Sequence, residues 1–250
     1  MADGGEFFTT AINQTATEPQ SRTIYFRSSI FYPLSSVQVM RYYPIYLDLK
    51  WRDVLVVGGG AVAEGKALQL VEAGARVTVV SPELTEALRA AACRGEITYL
   101  GGSFAEGDLN GVFLVVSATD DRKVNEKVAK AARERGLLCN VVDQPDLCNF
   151  ITPALVTRGE LQISVSTGGG SPTLTQRVKR EVAALIGEEY GVLLEIAAEM
   201  RAEAKDRVAD FERRKEVLRA FVESDALDLI RAGRLDEARA LARRFLRGVE

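Results

Sequence analysis

The stretch VLVVGGGAVAEGKALQLVEAGARVTVVS, residues 54–81, constrains the fold most strongly. It opens on an apolar run, turns on three glycines, continues with apolar residues at helical spacing and ends in a second apolar run. Ala63, Ala67, Leu70 and Val71 stand at i, i+4, i+7 and i+8, one face of a helix. Gly74 follows, the residue type that most readily ends a helix in a left-handed conformation. Further apolar runs lie at 97–100, 112–117 and 138–142, with helical stretches between several of them. Strands that are apolar throughout, rather than alternating, belong to a parallel sheet covered on both faces. The pattern over residues 43–148 therefore predicts an α/β class fold with a doubly wound parallel sheet.

The bulk numbers fit this reading and exclude others. The chain has 250 residues, 47% hydrophobic and 27% charged, long enough for one large domain or two modest ones. Its net charge of −3 argues against a nucleic-acid partner. No apolar run approaches the length of a membrane span, so no transmembrane helix is expected. The three cysteines, Cys93, Cys139 and Cys148, show no CxxC spacing and read as buried or idle thiols in a reducing compartment. The count of zero histidines constrains the chemistry most. It removes a His general base, a Ser–His or Cys–His pair and a His-ligated zinc site, leaving proton transfer to carboxylate, Tyr, Lys, Cys or water.

The spacing Gly58-x-Gly60-x-x-Ala63, after a strand and at the head of a helix, has the context of a dinucleotide-binding turn. The first glycine permits the turn, the second lets backbone approach a pyrophosphate, and a small third residue allows close helix–strand packing. The bare alternative is a tight strand-to-helix corner. An NAD site usually carries an acid at the end of the second strand. Here Ser81 stands in that place, with Glu83 two residues on and no adjacent arginine for a 2′-phosphate. NAD is favoured over NADP.

Ligands of open α/β sheets bind outside the carboxyl ends of the strands. The run VFLVVSATDD brings Thr119, Asp120 and Asp121 to that edge, and LLCNVVDQPD brings Asp143. Asp120 could equally cap the following helix. Asp143 precedes no helix and is either a proton acceptor or a turn residue. Further on, two extended segments flank TRGE at 157–160, and the second, 161–166, runs into STGGGSP. There Ser171 suits an N-cap with Pro172 at N1. Thr167, Gly168, Gly169, Arg177, Lys179 and Arg180 surround a turn that would receive an anionic ligand, or else form a capped helix with a solvated basic face. From about residue 190 the chain should be all helix. Residues 1–39 lack sustained periodicity and the marks of a signal or transit peptide, and read as a disordered extension.

The segments YPIYLDLKWRDVLVVGGGAVAEGKALQLVEAGARVTVVSPEL, VVSATDDRKVNEKV and CNVVDQPDLCNFITPALVTRGELQISVSTGGGSPTLTQRVKREV together resemble the precorrin-2 dehydrogenase/sirohydrochlorin ferrochelatase family. The resemblance spans about residues 43–220. It implies a Rossmann-type NAD-binding domain at 40–148, a strand-rich dimerisation region at 149–187 and a small helical domain at 188–250. It implies NAD+-dependent oxidation of precorrin-2 to sirohydrochlorin, then Fe2+ insertion to give siroheme, in a cytoplasmic homodimer. It makes Asp143 the residue required for both steps. It places cofactor contacts on Ala61, Val62, Pro82 and Glu83 and on the ATDD motif, with Thr119 and Asp120; the sequence itself offers no dedicated metal cage. The tetrapyrrole carboxylates would meet the turn Thr167–Gly168–Gly169–Ser171 with Arg177 and Arg180. The fused relatives carry a methyltransferase half that is not found here, so precorrin-2 is expected to come from another protein. A dehydrogenase without chelatase activity, and a non-catalytic NAD-sensing domain, are the alternatives.

Overall fold

The structure is a computed structural model describing residues 41–248; the expectation for residues 1–39 lies outside the described residues. Five strands form one parallel sheet: β1 (Asp53–Val57), β2 (Arg76–Ser81), β3 (Ile97–Gly101), β4 (Leu114–Ser117) and β5 (Leu138–Val141), in the order β3-β2-β1-β4-β5. Helices α1 (Ala61–Glu72), α2 (Glu86–Cys93) and α3 (Arg122–Glu134) make three of the four crossovers, and the fourth, from β3 to β4, carries a 3-10 turn at Glu106–Leu109.

The side-chain period of two divides the apolar strands between two cores. Val54 and Val56 join Ala63, Ala67, Val77, Val79 and Leu88 on the face covered by α1 and α2. Leu55 and Val57 join Val115, Val128, Ala132 and Val141 on the face covered by α3. This is the doubly wound α/β arrangement expected from the uninterrupted runs. The strand order reverses direction between β1 and β4, so the crevice of the sheet opens at their carboxyl ends.

One strand starts later than its sequence suggests. The apolar run begins at Val112, yet β4 begins at Leu114, because the Val112 amide is still donating to the Leu109 carbonyl of the preceding 3-10 turn. The end of α1 follows expectation: Gly74 sits just beyond the cap with φ of 79°.

Beyond the sheet, β6 (Ala154–Arg158) and β7 (Leu161–Val165) pair antiparallel around a tight Gly159–Glu160 turn. Helix α4 (Pro172–Leu185) follows, then α5 (Glu189–Arg207), α6 (Phe211–Val222), α7 (Ala226–Arg231) and α8 (Leu235–Arg247). The last four enclose a third core built on Leu193, Ile196, Met200, Phe221, Ala242 and Leu246. Phe221 and Phe245 meet edge to face at 6.3 Å.

Arg158 ties the hairpin to α4. Its guanidinium donates to the carbonyls of Ile186 (2.8 Å) and Ala183 (3.0 Å), the open carbonyls of the α4 carboxyl end, where a cation also suits the helix dipole.

Candidate active site

The first glycine turn is held on both sides by strand ends. The Gly58 amide donates to the Val80 carbonyl, the Thr85 amide to the Gly59 carbonyl, and the Ala118 amide to the Val57 carbonyl. Gly58 has φ of 119°, and a β-carbon there would lie 2.8 Å from the Ala118 carbonyl carbon. Gly59 is equally constrained, since its β-carbon would meet the Glu83 carbonyl and stand 2.7 Å from Ser81 Oγ. Sequence reasoning counted Gly58 and Gly60 and passed over Gly59.

Gly60 behaves differently. It is the N-cap of α1, in an extended conformation open to any residue, and a β-carbon there would touch nothing within 4 Å. No side chain caps this helix end. The first intrahelical bond runs from the Glu64 amide to the Gly60 carbonyl, so the Ala61, Val62 and Ala63 amides have no partner within the helix. Ala63 itself is fully buried against the sheet, the close approach that a small third residue permits. Backbone donors, a positive dipole end and open space above Gly60 fit the pyrophosphate of a dinucleotide.

Pro82 and Glu83 follow β2 and are exposed beside this turn. The Tyr99 hydroxyl, from β3, lies 3.0 Å from the Ser81 carbonyl and 3.3 Å from that of Pro82, donating across the loop. Tyr99 was not foreseen.

On the other side of the crevice, the loop after β4 carries Thr119 and Asp120. The helix cap is Asp121, whose Oδ1 accepts from the Lys123 and Val124 amides at 2.8 and 3.2 Å. Asp120 is therefore exposed and not the cap. Thr119 Oγ1 accepts from the Asp121 amide. Buried Asn125 fixes the loop from below: it accepts from Ser117 Oγ at 2.7 Å and donates to the Thr119 carbonyl at 2.9 Å.

Asp143 lies two residues beyond β5, exposed, with φ of 58°. Among the described residues it and Trp51 are the two non-glycine residues with positive φ. Aspartate tolerates this conformation better than most residues. Val57, Ser117 and Val141 are in register across β1, β4 and β5, so the β1 and β5 ends stand about 10 Å apart, two inter-strand spacings. The sheet thus brings Gly58–Gly60, the Pro82–Glu83 loop, Thr119–Asp120 and Asp143 to one edge.

The second glycine turn lies on another element, between β7 and α4. Gly168 and Gly169 both have positive φ, at 63° and 86°. Ser171 caps α4 by accepting from the Leu174 amide, with Pro172 at N1, as the sequence predicts. Thr167 is engaged inside the loop: its hydroxyl meets the Ser171 amide at 3.0 Å and Thr175 Oγ1 at 2.9 Å. Arg177 pairs with Glu181 at 2.9 Å along the exposed helix face, while Arg180 is exposed.

Cys139 is buried, as expected, Cys93 is exposed, and Cys148 is half-buried. Burial pushes Cys139 up to about 11, and burial also raises Cys148, partly offset by a hydrogen bond from the Val141 amide. Cys148 and Asn149 serve the outer edge of β5: the Val141 amide donates to Cys148 Sγ and the Cys139 amide to Asn149 Oδ1. Among the described residues no group of three or more His, Cys, Asp or Glu is placed to hold a metal ion, and no helix is long and apolar enough to cross a membrane.

Three family models match in succession: "Putative NAD(P)-binding" over residues 45–154, "Sirohaem biosynthesis protein central" over 158–185, and "Sirohaem synthase dimerisation region" over 189–246. The last covers α5 to α8, whereas the sequence reading gave the dimer contacts to residues 149–187. The chain is 40% identical over 200 residues to a siroheme synthase of Thioalkalivibrio sulfidiphilus, covering 80% of this chain and 41% of that protein. It is 37% identical over 209 residues to a siroheme synthase of Nitrosococcus oceani, covering 84% and 45%. The chain thus spans less than half the length of these relatives. The solved structure of a protein named "SirC, precorrin-2 dehydrogenase" superposes with a TM-score of 0.69 at 28% identity, over 83% of this chain and 98% of that one. With its nucleotide-type crevice, its paired strands and its helical end in the order these relatives share, the chain has the domain order of the sirohaem-biosynthesis proteins that these family models describe.

Proposed function

We propose that this protein oxidises precorrin-2 to sirohydrochlorin with NAD+, and that the same cleft then promotes Fe2+ insertion to give siroheme. The observation that carries the reading is the placement of Asp143, an exposed carboxylate at the sheet edge that also bears the glycine turn. The family models and the precorrin-2 dehydrogenase that superposes on the chain support a tetrapyrrole as the substrate class.

Bound NAD+ would supply the hydride acceptor. The chain's own part is to hold and to deprotonate. The Ala61 and Val62 amides, with the dipole of α1, would hold the pyrophosphate above Gly60. Glu83 would accept from the adenosine ribose hydroxyls and repel a 2′-phosphate, which favours NAD over NADP. Thr119 and Asp120, on the loop braced by Asn125, would bound the nicotinamide side. Oxidation removes one hydride and one proton from precorrin-2, and Asp143 would take the proton. Metal insertion releases two pyrrole N–H protons, so the same carboxylate would serve again, with Fe2+ as a substrate.

The turn Thr167–Ser171 and the cations Arg177 and Arg180 would receive substrate carboxylates. Given the engagement of Thr167 and Arg177 within the protein, backbone amides and Arg180 carry more of this role than the Thr167 hydroxyl. The dimerisation family over residues 189–246 supports a homodimer.

The test is an anaerobic assay of freshly made precorrin-2 with and without NAD+, followed by Fe2+ addition. NAD+-dependent formation of sirohydrochlorin and faster metallation than in buffer are expected. Oxidation without accelerated metallation would leave a dehydrogenase alone. NAD+ binding without oxidation would point to a sensing role.

A further inference from the structure

We propose that Cys148 is a positioning residue for Asp143, holding its turn in the left-handed conformation by hydrogen bonds of the thiol; this rests on the role proposed for Asp143. The geometry is specific. β5 is an edge strand, so its outward amides find no strand beyond it. The Val141 amide donates to Cys148 Sγ at 3.1 Å, and the thiol proton has the Val141 carbonyl at 3.2 Å and the Gln144 carbonyl at 3.4 Å as acceptors. The Asn140 side-chain amide also points at the sulfur, at 3.7 Å. One side chain therefore holds backbone groups on both sides of Asp143, at positions 141 and 144.

Those contacts close the turn that Asp143 occupies. The Gln144 amide donates to the Val141 carbonyl at 3.3 Å, a long bond across a residue with φ of 58°. A left-handed non-glycine residue persists only where its surroundings over-determine it. Flanking Cys148, Asn149 bonds the Cys139 amide with its side-chain oxygen, the Leu137 carbonyl with its side-chain amide and the Cys139 carbonyl with its own amide, anchoring the segment that carries the thiol. Burial keeps Cys148 protonated, so that it can accept and donate at once.

The experiment compares wild type, Cys148→Ala and Cys148→Ser by amide hydrogen exchange over residues 141–144, by NAD+ affinity and by kcat and KM for precorrin-2 oxidation. In Cys148→Ala, exchange at 141–144 should accelerate about tenfold and kcat should fall by a similar factor, with NAD+ affinity and KM within about twofold of wild type. Cys148→Ser keeps a donor and acceptor and should recover most of both losses. Unchanged exchange and kcat in the alanine variant, or a serine variant as impaired as the alanine one, would overturn the inference. If the wild type itself fails to oxidise precorrin-2, the function proposed above fails. The exchange data then still decide whether Cys148 holds the Asp143 turn: lost protection supports that hold and unchanged protection refutes it.

Discussion

The Ala118 carbonyl occupies the space into which a side chain on Gly58 would project. Gly58 and Ala118 follow adjacent parallel strands, so this contact fixes how closely the glycine turn and the loop of Thr119 and Asp120 approach. Gly58→Ala must both strain a φ of 119° and push back a strand end. We expect a loss of about 3 kcal/mol or more, from strain and overpacking together. Gly60→Ala is the matched control: it meets open space at an ordinary backbone angle. Its melting temperature should equal that of wild type while its NAD+ affinity falls at least about tenfold, because the added methyl enters the space proposed for the pyrophosphate. Calorimetry on both variants checks this, and equal NAD+ affinity in Gly60→Ala would place the pyrophosphate elsewhere.

Asp143→Asn separates charge from conformation. Asparagine tolerates the left-handed region as aspartate does, so the fold and the turn should be retained. A general base contributes roughly 10²- to 10⁴-fold to rate. We expect kcat for precorrin-2 oxidation to fall about 100-fold or more, with melting temperature and NAD+ affinity unchanged. Activity within about threefold of wild type would remove Asp143 as the proton acceptor.

Much of the sheet edge was legible in the sequence because it rests on periodic signals. The uninterrupted apolar runs forced a sheet with two cores, and the glycine spacing set the turn at the end of β1. The Ser171-Pro172 pair likewise announced the start of α4. What escaped was polar side chains that serve distant backbone and leave no period. Asn125 looks like any helical asparagine, yet it braces Thr119. Cys148 looks like a spare thiol, yet it bonds both flanks of Asp143. The cap of α3 escaped for another reason: the sequence offered Asp120 for it, and the register of the loop gives the role to Asp121.

Arg158 offers a separate test of how the hairpin is joined to the helices. From the sequence it belongs to a surface turn, but its guanidinium reaches 28 residues along the chain to the end of α4, with its side chain 17% exposed. Removing it leaves the Ala183 and Ile186 carbonyls without their donor. Arg158→Ala should cost about 2 kcal/mol in a urea titration, in the range for hydrogen bonds from a charged donor. Its ion pair with Glu188 is a lesser part, because Glu188 is 83% exposed and surface pairs contribute little. Glu188→Ala should therefore shift the midpoint hardly at all. Equal losses in the two variants would make the ion pair, and not the helix end, the important contact.

Stability should be flat between about pH 6 and 8 and fall on either side. With no histidine in the chain, no side chain of ordinary pKa titrates across that window. On the acid side, the Asp53 carboxyl is held below its usual value chiefly by hydrogen bonds from Arg76, and Glu96 likewise by Arg94 and Glu237 by Arg234. A carboxyl lowered in the folded state contributes stability above its unfolded pKa of roughly 4, and that contribution is lost as pH falls through the lower folded value. On the alkaline side the sign reverses. Cys139, at about 11 in the folded protein, ionises first in the unfolded chain, near its ordinary value of about 8.5. Its contribution is complete below that ordinary value and disappears as pH rises from there to about 11. Thermal melts from pH 3 to 11 check both limbs. Asp53→Asn should shallow the acid limb and Cys139→Ala the alkaline one, each leaving the other unchanged. An alkaline limb of the same slope in Cys139→Ala would assign that loss to lysine and tyrosine titration instead.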